Sequence, residues 1–270
     1  GAKVQKKTHI YSSFLSFFTF HFSLSTFFVY LCTRRVRNQA ASQQLVRSSL
    51  HLVCADNTGK KCMNMQETRA ITAYKKGLRA KILMTAMTGF RLRGIRAVKM
   101  DDVAAELGIS KRTLYEIFDK KEDLLFEAMK HYYGERRERI HVKVQHCANV
   151  MEIILTVYRI KVEEFQQTNP NFFVDLIKYP QVLRFLNQEN QTNRTKFLQF
   201  IERGINEGFF RSDVNYELST RLFDALGNYV MQNQLYRQYT IEEIFKNLIF
   251  VTLRGMCTAR GTATLEEILK

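Results

Sequence analysis

The chain has 270 residues, enough for one or two domains with a sizeable core, and its 41 Lys and Arg against 26 Asp and Glu give a formal charge of +15. Two prolines and twelve glycines leave long helices possible nearly everywhere and argue against a turn-rich β-sandwich. The five cysteines (Cys32, Cys54, Cys62, Cys147, Cys257) are odd in number, widely spaced and without a CxxC pair, so neither a disulfide framework nor a zinc framework is expected. His141 and His146, five apart, do not share a helix face, and no metal or other cofactor is called for. There is no GxSxG, P-loop, Rossmann fingerprint or HExxH, so no catalytic residue is assigned and the chain does not read as an enzyme. The charge is uneven: net +8 over residues 1–64, +5 over 65–130 and +2 over 131–270. A basic first half joined to a nearly neutral second half suits phosphate contact by the former and sensing or assembly by the latter.

Residues 1–64 read as an N-terminal extension. Within it, residues 10–32 contain no Asp, Glu, Lys or Arg and are flanked by Lys3, Lys6 and Lys7 before and by Arg34, Arg35 and Arg37 after. The run is long enough to cross a bilayer, although seven of its residues are Ser or Thr, which weakens insertion. No small-x-small cleavage site follows, as a signal peptide requires. Three readings stand: a mis-extended reading frame ahead of Met65, a membrane anchor, or an arm that packs on the body. The favoured first reading expects a chain starting at Met65 to fold, dimerise and bind DNA with near-unchanged specificity.

From Tyr74 to Arg91 the residues Leu78, Ile82, Ala86 and Phe90 recur every four, with Leu83 widening the stripe, and predict a first helix. Its Lys75, Lys76, Arg79 and Lys81 face either phosphate or solvent. Residues 100–118 carry the densest signal. Val103 and Leu107 share a face, and Ala104 beside them is small enough for a second helix to approach. Gly108 stops the first short helix where a left-handed backbone is needed. Ile109 pins the turn to a core, and Ser110 can cap the next helix. That helix turns Leu114, Ile117 and Phe118 inward and Lys111, Arg112, Thr113 and Tyr115 outward. This is a helix-turn-helix pattern, and the outward set suits a DNA major groove and its phosphates. A helix from Asp119–Lys121 follows, with Glu122 and Asp123 complementing its dipole.

The stretch GISKRTLYEIFDKKEDLL (residues 108–125) closely resembles the DNA-binding domain of TetR-family transcriptional regulators, and the likeness runs from about Tyr74 to Tyr133. Thr113-Leu114-Tyr115, Phe118 and Lys121-Glu122 carry it, with Gly89-Phe90 and Gly94-Ile95 upstream. Where the family often has a hydroxyl residue capping the first motif helix, this chain has Val98 and Lys99. Where Ser often precedes the Lys of the next helix, it has Lys120. The resemblance implies an all-α chain: a three-helix helix-turn-helix domain over 65–130, then a helical ligand-binding and dimerisation domain over 131–270. The implied DNA-binding set is Lys99, Ser110, Lys111, Arg112, Thr113, Tyr115 and Lys121. Lys111, Arg112 and Thr113 meet base edges, whereas Tyr115 and Lys121 hold phosphates.

Downstream the pattern stays helical: residues 141–167, a short helix from Phe172-Phe173 to Lys178 after Asn169-Pro170, a long one over 183–207 ended by Gly208, and two more over 216–239 and 241–260. In the resembled family the last two long helices pair with their copies as a four-helix bundle. Abundant aromatics suit a pocket between helices as well as ordinary core packing; Tyr158, Phe165, Phe172, Tyr179, Phe200 and Phe223 are the candidate lining residues. The reading is a cytoplasmic, ligand-responsive regulator, a repressor, that binds a palindromic operator on double-stranded DNA as a homodimer and responds to a small apolar or amphipathic ligand. The alternatives are a membrane-tethered sensor anchored by residues 10–32 and a ligand-free architectural DNA-binding protein.

Overall fold

The computed structural model describes residues 65–269, which are helical throughout apart from turns and one isolated bridge between Phe210 and Cys257. The extension over 1–64, with its apolar run 10–32, lies outside the described residues. Among the described residues no helix is long and apolar enough to cross a membrane.

The first helix, α1, spans Met65–Arg93, starting well before the expected Tyr74. Ile82, Ala86 and Phe90 are fully buried, as their four-residue spacing requires. Gly94 ends it at φ +88°, a left-handed conformation that costs glycine little. Then come α2 (Met100–Glu106), α3 (Lys111–Ile117) and α4 (Lys121–Val144). The long α4 packs against α1, α5 (Val150–Gln166) and α7 (Pro180–Asn206), and it passes unbroken through the expected boundary at residue 130. Between α5 and α7 sits α6 (Pro170–Leu176), its first turn preset by proline.

The remaining helices are α8 (Tyr216–Gln232), α9, and α10 (Ala259–Ile268). The α9 helix runs from Ile241–Ile244 through a π-helical turn, Phe245–Ile249, into Phe250–Met256. Three expected segments change. The helix over 141–167 is broken because Asn149 turns its side chain onto the N–H groups of Met151 (3.0 Å) and Glu152 (3.1 Å), capping a new start. The helix over 216–239 stops at Gln232, and Gln234 takes φ +51° before a 3₁₀ turn. The helix over 241–260 stops at Met256, where Cys257 adopts extended backbone and bridges Phe210, and Thr258 caps the unexpected α10 through the N–H of Gly261 at 3.1 Å. One continuous buried cluster joins both halves.

Candidate DNA interface and buried cavity

The helix-turn-helix is assembled from short-range chemistry. Gly108 turns the chain at φ +64°, and Ile109 returns its N–H to the carbonyl of Ala104 at 3.0 Å. Ser110 caps α3: its Oγ accepts the N–H of Thr113 at 3.0 Å and shares a 2.8 Å hydrogen bond with the Thr113 hydroxyl. The missing hydroxyl cap on α2 is replaced from within the helix, since the Asp102 carboxylate accepts the Lys99 N–H at 2.8 Å. Leu114 and Phe118 are buried. Arg79, one of the four early basic residues of α1, stacks its guanidinium 4.4 Å from the Phe118 ring centroid and donates to Glu127 of α4 at 3.3 Å. It therefore braces the end of α3 against α4, while Lys75, Lys76 and Lys81 stay exposed.

The outward residues share one face. The Arg112 side chain is 88 % exposed and pairs with Glu116 at 2.9 Å; Lys111 pairs with Asp101 of α2 at 2.5 Å. Exposed pairs of this kind are worth little, so both cations can exchange a carboxylate for a base edge or phosphate at low cost. The hydrogen bond to Asp101, with its charge, pushes the Lys111 ammonium pKa up. Tyr115, Lys99 and Ser110 are exposed, and Thr113 is half-buried behind Ser110. Lys121 differs: its ammonium lies 5.9 Å from the Phe90 ring centroid, and burial lowers its pKa. It stands at the start of α4, nearer the body than the other cations. Arg96 and Lys120 are also exposed beside the motif; as isolated cations in turns they carry no periodic signal in the sequence.

Behind the motif, the α5–α6 loop and α6 grip the end of α1. Asn169 donates its N–H to the Arg91 carbonyl at 2.7 Å and its side-chain amide to the Leu92 carbonyl at 3.3 Å. Arg91 reaches back, donating through Nε to the Thr168 hydroxyl (3.1 Å) and through a terminal nitrogen to the Glu164 carbonyl (3.1 Å). The buried Asp175 accepts the Arg96 N–H at 2.7 Å in the turn before α2. A Cβ on Gly94 would stand 3.2 Å from the Cβ of Asn171, so the close approach at this junction also favours glycine.

This junction forms one wall of a cavity between α1, α4, α5, α6 and α9, with about 30 Å³ of free space, room for about two waters. Met87 and Met129 give apolar wall from α1 and α4; Phe172, Phe173 and Phe245 give aromatic wall from α6 and the π turn of α9. Phe165 stacks on Phe173 at 5.2 Å. The polar lining is Arg91, Arg136, Lys161, Glu164 and Thr168, and Tyr132 and Tyr133 complete it from α4. Arg136 is 4 % exposed and donates to the Glu164 carboxylate at 2.7 Å, which also accepts from Arg139 at 2.6 Å. Burial works to raise the Glu164 carboxyl pKa, yet the Arg136, Arg139 and Lys161 charges together hold it below the ordinary value. Burial, seconded by the Arg136 charge, lowers the Lys161 ammonium to about 7.

Of the six aromatic residues expected to line a pocket, the cavity takes Phe165 and Phe172. Phe200 and Phe223 are spent in core packing. Tyr158 packs on Phe245 and Phe250 and faces a separate open groove of about 510 Å³ beside Glu242 and Lys246. Tyr179 is half-buried at the start of α7, away from the lining. Arg136, Lys161 and Glu164 also line the cavity, and aromatic content gives no sign of them. The helical stripe Ile154, Val157, Lys161 already placed Lys161 on the inward face of α5.

Residues 82–128 match the family described as bacterial regulatory proteins, tetR family. Over 195 residues the chain is 26 % identical to the HTH-type transcriptional repressor KstR2 of Rhodococcus jostii, covering 69 % of this chain and 95 % of that one. Over 190 residues it is 21 % identical to the repressor of the same name from Mycolicibacterium smegmatis, covering 68 % and 92 %. In fold it is similar to a transcriptional regulator from Saccharomonospora viridis solved in complex with choline (TM-score 0.54, 21 % identity, 68 % of this chain and 99 % of that one). It is similar also to a TetR-family regulator from Cytophaga hutchinsonii (TM-score 0.53, 17 % identity, 68 % and 97 %).

Proposed function

We propose that the chain, whose residues 82–128 match the tetR family of bacterial regulatory proteins, is a regulator of that kind: a ligand-responsive repressor that binds a palindromic operator as a homodimer. The observation that carries the reading is a shared helix. Through its buried stripe α1 supports the helix-turn-helix, and through Met87 and Arg91 it lines the cavity. An occupant of the cavity therefore touches the element on which the recognition helix stands. The repressor names of the Rhodococcus and Mycolicibacterium relatives support repression rather than activation.

In this reading Lys111, Arg112 and Thr113 read base edges, with Arg112 suited to guanine, while Lys99, Ser110, Tyr115 and Lys121 fix the register on phosphates. Dimerisation is supported by an apolar face left open on α8 and α9: Leu218 (64 % exposed), Leu222 (50 %), Tyr229 (56 %) and Val251 (55 %). Leu218, Leu222 and Tyr229 recur at helical spacing, as a helix-pairing seam requires. The test is selection of bound duplexes from a random pool by the full chain. The expected product is an inverted repeat whose half-site centres are about one helical turn or a multiple of it apart. Selection of a lone half-site, or of no sequence, overturns the proposal.

A further inference from the structure

The recognition helix carries an acid in a place that is unfavourable to it on two counts. Glu116 lies in the last turn of α3, its side chain 61 % exposed, on the outward arc it shares with Lys111, Arg112 and Tyr115. A carboxylate near a helix C-terminus is opposed by the dipole, and Arg followed four residues later by Glu is the less stabilising order for such a pair. Toward DNA, the same carboxylate repels every phosphate within reach. Its one described contact is directional: Arg112 Nε donates to Glu116 Oε1 at 2.9 Å. A guanidinium has five N–H donors in a rigid plane, one on Nε and four on the two terminal nitrogens. With Nε engaged, the plane is oriented and the terminal pair is left for the O6 and N7 of a guanine. The other outward pair lacks this directionality, since Lys111 meets Asp101 of α2 through an ammonium whose donors rotate.

We propose that Glu116 is a positioning residue for base reading: through Nε it sets the plane of Arg112 and sharpens the preference for guanine at one base pair, while its charge weakens binding to DNA of every sequence. The inference rests on the reading of α3 as the recognition helix and adds what tunes its reader. Arg112 has two kinds of partner on a duplex, base edges that carry sequence information and phosphates that carry none. A phosphate drawn to Arg112 comes up against the carboxylate, whereas a guanine edge carries no such charge. In water an exposed pair of this kind holds loosely. Against DNA it is partly dried, so the hydrogen bond to Nε strengthens when the base is read.

The test uses the full chain, the duplex it selects, a set of duplexes with each base pair of that site replaced in turn, and a random duplex. Arg112→Ala first identifies the base pair that Arg112 reads. Glu116→Ala should then lose about threefold or more of the discrimination at that same base pair and bind the random duplex about twofold or more tighter. Glu116→Gln keeps an acceptor for Nε without the charge; it should tighten random binding as much and lose less of the discrimination. In the Arg112→Ala background, Glu116→Ala should leave base preference unchanged. Both single variants should melt within about 2 °C of the wild type, as exposed substitutions do. A glutamine variant that discriminates as poorly as alanine, a preference lost at another base pair or in the Arg112→Ala background (Glu116 itself accepting from a cytosine), or a larger fall in melting temperature overturns the proposal. The failure of the underlying reading looks different. No selected sequence, or a uniform loss with Arg112→Ala, defeats the recognition-helix reading and this inference with it. A selected sequence read by Arg112 whose preference survives Glu116→Ala defeats the positioning role alone.

Discussion

Lys161→Met should make the ligand-free chain more stable, a result that a tally of polar contacts would not anticipate. In the unfolded chain the ammonium has its ordinary value of 10.5, whereas burial first and Arg136 second hold it at about 7 in the fold. At ~1.36 kcal/mol per pH unit, that gap corresponds to roughly 4–5 kcal/mol of folding stability lost wherever both states are charged. Local relaxation and water entry reduce such costs, so a gain of about 2–4 kcal/mol at pH 7 is expected from methionine, which fills similar volume without charge. The sign follows from proton counts. Between about pH 7 and 10.5 the unfolded chain holds a proton that the folded chain has released, so wild-type stability rises with pH by up to ~1.36 kcal/mol per unit. The advantage of the variant is therefore largest at and below pH 7 and shrinks as pH rises.

The window from pH 7 to 9 is the clean one. Burial pushes the Cys257 thiol up to about 11, so above its ordinary value of 9.0 the unfolded thiol ionises first and stability falls instead. Urea melts of both chains at pH 7, 8 and 9 measure the difference directly. A variant no more stable at pH 7, or two curves that run parallel with pH, would show that Lys161 is not a destabilised buried cation.

Arg112→Ala should cost about 1–3 kcal/mol on the selected site and relax one base position, whereas Lys121→Ala should weaken all duplexes alike and reduce the salt slope by about one; equal effects of both on specific and random DNA contradict this division. Because Lys121 also packs over Phe90, its removal should lower the melting temperature as well, which Arg112→Ala should not do. Leu222→Glu, in the middle of the open α8 face, should leave a monomer by light scattering at micromolar concentration, since a dimer of this kind buries about 2,000 Å² or more and tolerates no central charge. Asp175→Ala removes the acceptor of the Arg96 N–H and should cost about 1–3 kcal/mol in urea melts, with weakened release of DNA by effector; an unchanged release would mean that the contact is not part of the coupling.

The motif was legible because its determinants are local. Gly108, Ser110 and the inward Leu114 and Phe118 act within one or two turns, and the structure uses each of them as the sequence implies. Helix ends were less legible, because caps compete with periodicity. Asn149 starts a helix inside an apolar pattern that reads as continuous, and Cys257 is drawn into extended backbone by Phe210, forty-seven positions away. The cavity was legible only in part. Aromatic content cannot distinguish Phe172, on the lining, from Phe223, in the core, since both are fully buried at helical spacing. The informative signal was the polar exception. Lys161 and Glu164 interrupt the inner stripe of α5, and charges on an inward face call for partners.

Arg91 shows how the two functions can share one equilibrium. Its side chain lines the cavity, lies 5.1 Å from the Tyr132 ring centroid and donates to both Thr168 and Glu164, while its own carbonyl accepts from Asn169. The residue belongs to the helix that carries the motif, and its partners belong to the helices that hold the cavity. With about 30 Å³ of space, no amphipath larger than about two waters can enter without parting these walls. An occupant therefore binds a state in which the α1–α5–α6 contacts are rearranged, and it has no comparable hold on the closed state. Such a difference in affinity is what a ligand needs in order to shift a conformational equilibrium, and a 99-fold reversal of populations in each direction takes about 5.5 kcal/mol of it. The hydrogen bonds of the junction set how much of that energy is consumed in opening. Weakening them should make the cavity easier to fill and should also loosen its hold on α1, so the tightest effector binding and the strongest DNA release need not occur in the same variant.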